Sequence, residues 1–167
     1  GLVRLELTVS NGNKRNFVLL FGDSTTDGFD YGYDARTIDP QEDDLNSFLN
    51  NKKMVIQSFA PINNDKVVDL VFNSSGTFNY TIEMIDIENI PEDQDVYLRD
   101  HLTDTYFNLR NGAYSFSSEI NGEDSNRFDI VFESGETLSN EEFLNDNTII
   151  YVNNTEDMLY VKGLTTK

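Results

Sequence analysis

The chain has 167 residues, with 30 acidic against 12 basic side chains, a net charge of -18 and no cysteine. That length suits one domain with its own core plus a short extra segment. The charge repels phosphate backbones and anionic lipid, which argues against nucleic-acid partners, and the missing thiols exclude disulfides and thiolate metal sites. No apolar run approaches the roughly 20 residues that cross a bilayer, so membrane insertion is not expected. The N-terminus lacks the basic-then-apolar layout of a signal peptide.

The first element is the period-2 run LVRLELTV, in which Val3, Leu5, Leu7 and Val9 share one face and Arg4, Glu6 and Thr8 the other, the mark of a half-buried strand. Comparable short runs follow at 16–21, 53–59, 66–72, 77–85, 95–100, 106–109, 113–118, 127–133, 148–152 and 158–163. Only QEDDLNSFLNN (41–51) and NEEFLND (140–146) read as short helical turns. Asn-Gly pairs at 11–12, 111–112 and 121–122 supply tight-turn chemistry, and YFNLRNGAYSFSS reads as a hairpin about Asn111-Gly112. Many short strands with Gly and Asn turns predict an all-β fold, an antiparallel β-sandwich of jelly-roll or Ig-like type. A shift to polar acidic composition near residue 135 places the end of this module at about 134. A linker over 135–147 and a second, small β segment over 148–167 are expected to follow.

The stretch DSTTDGFDYGYDA (23–35) concentrates the chemistry, with Asp23, Asp27, Asp30 and Asp34 three or four residues apart. Loops rich in carboxylates and carbonyls suit Ca2+, which takes six to eight oxygen ligands, although the spacing is not that of the helical calcium loop. Asp27, Asp30 and Asp34 are therefore candidate calcium ligands. A structural reading stands beside this one. Aspartates organise turns through their own backbone, and Phe29, Tyr31 and Tyr33 would then tuck the excursion against the body of the fold.

Exposed rings on a β-module can also form a platform for sugars. Tyr31 and Tyr33 are the leading candidates for carbohydrate contact, with Tyr106 and Tyr114 as further members. Catalysis finds little footing: the lone His101 sits in RDHLTDT at an apparent hairpin tip, no G-x-S-x-G elbow is present and no Gly-rich phosphate loop occurs.

Taken together, RLELTVSNG, FVLLFGDSTTDGFDYGYDA, VYLRDHLTDTYFNLRNGAYSFSSE and NRFDIVFE resemble a β-sandwich module common in large secreted and surface proteins of Bacteroidetes, where it precedes a C-terminal type IX secretion sorting domain. The resemblance covers residues 2–134. IIYVNNTEDMLYVKGL is similar to the first strands of the type A sorting domain. Asn153 matches that family's Asn, while Asn154 stands where its Pro is usual. The resemblance implies export across the outer membrane to the cell surface or medium, with the type IX translocon as partner. It implies no catalytic activity for the module itself. The expectation is thus a non-catalytic accessory or adhesion module; the alternative is a carbohydrate-binding module, calcium-stabilised, whose partner is a polysaccharide or surface glycan.

Overall fold

A computed structural model describes residues 1–76, 78–135, 149–153 and 158–162. The chain divides into two compact units, Gly1–Ser134 and Gly135–Lys167.

In the first unit, β1 (Leu2–Val9) buries Val3, Leu5, Leu7 and Val9, as its alternation requires. It turns into β2 (Lys14–Phe21) through Asn11-Gly12. There the Gly12 amide donates to Val9 O at 2.9 Å, and φ of +96° at Gly12 is a conformation that glycine adopts without steric cost. The edge strand β3 (Ala35–Arg36), then β4 (Asp44–Leu49) and β5 (Lys52–Phe59) come next. β4 and β5 pair about a two-residue loop, Asn50-Asn51, whose φ values of +50° and +60° match the twist of a hairpin. Antiparallel to β4 runs β6 (Val67–Ser75). β7 (Phe78–Glu88) returns to pair with β1.

The remaining strands are β8 (Tyr97–Asp100), β9 (Thr105–Asn108), β10 (Tyr114–Ser118), β11 (Asn121–Asp124) and β12 (Phe128–Val131). The main path of the sheet is β10-β7-β1-β2-β5-β4-β6-β12-β8-β9, with β3 added to β5 and β11 to β6. It is a mixed sheet, because β2 and β5 are parallel. The long connection over 22–51, which holds the acidic stretch, β3 and β4, supplies the crossover that a parallel pair demands.

The fold is all-β and barrel-like, and nearly closed. Phe72 on β6 lies edge-on to Tyr80 of β7 (5.0 Å), Phe116 of β10 (5.3 Å) and Phe128 of β12 (5.8 Å). Strands from both ends of the path thus meet at one aromatic centre. At the seam, side chains take the place of a ladder: Phe107 of β9 packs on Tyr114 of β10 at 5.5 Å.

Three expectations from the sequence are corrected. Residues 41–51 carry no helical turn, because Asp44–Leu49 is strand β4 and its buried polar side chains find partners in the sheet. Asn111-Gly112 is not a hairpin: the segment Leu109–Asn111 is a single 3-10 turn, and it links β9 to β10, which lie at opposite ends of the sheet path. Asn121-Gly122 lies inside β11 rather than in a turn. The segment 140–146 lies outside the described residues.

In the second unit, β13 (Ile149–Asn153) and β14 (Met158–Lys162) form an antiparallel pair. Asn153 closes β13; Asn154 and most of the expected linker lie outside the described residues.

Candidate functional site

The acidic stretch leaves β2 at Phe21 and is fixed first by Thr25, whose hydroxyl donates to Phe59 O at 2.6 Å and Gly22 O at 3.0 Å. Asp34 then clamps the loop to β5. Its Oδ1 accepts from the Ser58 amide (2.6 Å) and hydroxyl (2.7 Å), and its Oδ2 accepts from the Asp30 amide (2.7 Å). Asp30 in turn accepts from the Thr26 amide at 2.6 Å and from the hydroxyls of Thr26 and Ser58. Asp27 turns another way, accepting from the Ala60 amide and pairing with the buried Lys66 ammonium.

Asp30 and Asp34 are therefore brought together, and Asp27 is directed elsewhere. Both oxygens of Asp30 and of Asp34, and Oδ1 of Asp27, meet protein donors, which are the partners a bound cation would have to displace. Among the described residues no group of three or more His, Cys, Asp or Glu is arranged to hold a metal. Asp23 contributes to none of these contacts.

The aromatics of the stretch do not tuck inward. Phe29 is 40%, Tyr33 49% and Tyr31 94% exposed. The carboxylates already anchor the loop, so the rings are not needed for it. Phe29 meets Tyr31 edge-on at 5.7 Å, and the Arg36 guanidinium lies over Phe29 at 5.4 Å. Tyr106 and Tyr114 do not join them. Tyr106 carries the Arg99 guanidinium on its face, and the Tyr114 hydroxyl donates to Asp100 at 2.9 Å.

His101 is at the β8–β9 tip, as its sequence position suggests, with its Nε2 2.5 Å from Asp129 Oδ2. Asp129 faces Asp69 across the β6–β12 ladder. Burial first, and then the Asp129 charge, push the Asp69 carboxyl above its usual range, while His101 pulls it down.

Three buried polar clusters escape reading from the sequence. Arg15 binds Asp44 through Nε at 2.6 Å and Asp39 through Nη1 at 3.1 Å. Burial works against the Arg15 charge, but these two carboxylates hold its pKa above the ordinary value. Asp43 accepts from the Ser75 amide and hydroxyl and the Tyr80 hydroxyl. Burial would raise its carboxyl, yet the three bonds win and hold it below the usual range. The Tyr80 phenol is pushed up to about 12 by burial and by its bond to Asp43.

Asp100 and Arg127 form the third cluster through two bonds, at 3.0 and 3.2 Å, and the guanidinium stacks against Phe116 and Phe128 at 4.6 and 4.7 Å. A signal for two of these clusters was present in the alternation. Arg15 shares its strand face with Phe17, Leu19 and Phe21, and Asp100 shares its face with Val96 and Leu98. A charge on the apolar face of a strand must find a partner inside.

A family model described as a domain of unknown function (DUF8693) matches residues 3–132. No curated protein and no solved structure matches the chain.

Proposed function

The chain belongs to the DUF8693 family, and from that premise we propose that it is a non-catalytic accessory or adhesion module of a secreted or cell-surface protein. One observation carries the reading. Several of the charged side chains that a catalytic reading would draw on are committed to holding the fold: Asp34 to Ser58, Asp30 to Thr26, Arg15 to Asp44, Arg127 to Asp100. A reactive carboxylate or cation needs a vacant position for substrate; these face protein donors and acceptors instead. In the same reading the chain rolls up as a sandwich of jelly-roll or Ig-like type, supported by the contacts of Phe72 with strands from both ends of the path. The β13–β14 pair is the beginning of the type IX sorting domain, and the translocon is its partner. The test is a hydrolysis screen of the intact protein against common polysaccharides. Background rates are expected throughout, and turnover that falls in Asp27→Asn/Asp30→Asn would overturn the reading.

A second reading, a carbohydrate-binding module, is favoured by the exposed ring pair of Phe29 and Tyr31 beside the half-exposed Tyr33. Rings held out on an anchored loop present their faces to a sugar at little entropic cost. A glycan array gives hits that vanish in Tyr31→Ala/Tyr33→Ala if the platform binds; an array without hits on folded protein removes this reading.

A further inference from the structure

The acidic loop runs into Arg36, an exposed residue of the edge strand β3. Its guanidinium lies over the Phe29 ring, 5.4 Å from the ring centre, and among the described residues no group accepts a hydrogen bond from it. Carboxylates stand close along the chain, yet they meet other donors: Asp27 takes Lys66, Asp30 takes Thr26, Asp34 takes Ser58 and Asp39 takes Arg15. Arg36 therefore keeps five N–H donors, set in the planar fork that suits a carboxylate, for a group from outside. Contact with a ring face steadies that fork without using any donor.

The rings supply the rest of the site. Phe29 meets Tyr31 edge-on at 5.7 Å, and Tyr31 stands 94% exposed. Guanidinium, Phe29 and Tyr31 thus follow one another in two short steps, about the span of a disaccharide, on a loop anchored through Thr25 and Asp34. We propose, resting on the carbohydrate reading of this loop, that its ligand is an oligosaccharide bearing a carboxylate, a hexuronate. Arg36 binds the carboxylate through paired N–H donors, and a neighbouring sugar ring lays its C–H face on Tyr31.

Other sugars fit less well. A neutral sugar leaves the fork to water, and an amino sugar sets a second positive charge against Arg36. A dense polyanion is opposed by the net charge of -18. A single carboxylate held against Arg36 escapes most of that repulsion, because at physiological salt exposed charges beyond about 8 Å are largely screened.

The test is an NMR titration of the intact ¹⁵N-labelled protein with disaccharides ending in glucuronate, galacturonate or mannuronate. Each is run beside its methyl ester, which keeps the rings and hydroxyls but removes the charge. Inorganic sulfate is the anion-only arm, and ionic strength is matched throughout. At least one uronate is expected to give saturable shifts at the Tyr31 and Arg36 amides and at the Arg36 Nε–H. It should bind about tenfold more tightly than its ester, as a charge-assisted contact implies. Arg36→Gln is expected to bring the uronate down to the affinity of the ester and leave the ester unchanged. Arg36→Lys should recover part of the loss, since it keeps the charge without the fork, and Tyr31→Ala should weaken both ligands. An ester that binds as well as its uronate, with both lost in Tyr31→Ala, overturns the proposal and leaves the carbohydrate reading standing. Absence of saturable shifts with every sugar overturns both. Sulfate that binds at Arg36 as tightly as the uronate, or uronate affinity unchanged in Arg36→Gln, also overturns the proposal.

Discussion

Replacing Asp100 by Ala tests whether the seam of the sheet is held from inside. Asp100 and Arg127 are 1% and 5% exposed, and the carboxylate also accepts from the Tyr114 hydroxyl and the Leu102 amide. Removing one partner of a buried ion pair costs about 3–5 kcal/mol, because the other charge is left without compensation. Tyr114 and Leu102 add little, since both sit where water can replace the lost acceptor. The expected loss is about 4 kcal/mol, a large share of the roughly 5–15 kcal/mol that holds a domain folded. Urea denaturation reads it as a lower midpoint at unchanged slope. The double variant Asp100→Leu/Arg127→Met should be more stable than Asp100→Leu alone, because the orphan charge is gone while the stack on Phe116 and Phe128 keeps an apolar occupant. A loss below about 1 kcal/mol for Asp100→Ala, or a double variant worse than the single, would refute the argument.

Asp34→Ala removes the clamp between the acidic loop and Ser58, with a cost of about 2 kcal/mol; faster hydrogen exchange at the Ser58 amide and earlier proteolytic cutting within residues 23–37 would report it, and unchanged exchange would contradict the clamp. Asp69→Asn should stabilise the protein at neutral pH. The folded carboxyl is raised above its unfolded value, so its charge opposes folding at high pH, and that cost disappears as pH falls through the folded value toward the unfolded one. Melting curves should therefore show a gain at pH 7 that is absent in strong acid, and an equal gain at both would exclude titration as the cause. Calcium added to chelator-treated protein should raise the melting temperature only as far as matched ionic strength does, since both oxygens of Asp30 and Asp34 already face protein donors and Asp27 is directed away from them to Lys66 and Ala60. A calcium-specific rise lost in Asp30→Asn would reverse that view.

Short-range alternation makes one part of this fold legible in the residues alone. Val3 to Val9 announced a strand with one wet and one dry face, and Asn11-Gly12 announced its turn, because side-chain period and turn geometry are local properties of the backbone. The all-β class followed from many such runs. Strand β4 was misread since Asp44, Asn46 and Ser47 are polar yet buried, and alternation identifies an inward face only when that face is apolar. Their partners, Arg15 among them, lie up to 29 residues away. The tertiary structure alone decided that β2 and β5 run parallel, and that β9 and β10 close the sheet from opposite ends. It likewise decided that Asp34 gives its oxygens to Ser58 and the Asp30 amide, and Asp30 its own to Thr26, while the rings between them stay in solvent. In the stretch 23–35 the sequence supplied the carboxylates and rings, but which of them anchor and which stand free depends on strand β5, some two dozen residues further along the chain. A hydrogen bond is satisfied by whatever the fold brings within about 3 Å, and that neighbour is not written in the residues beside it.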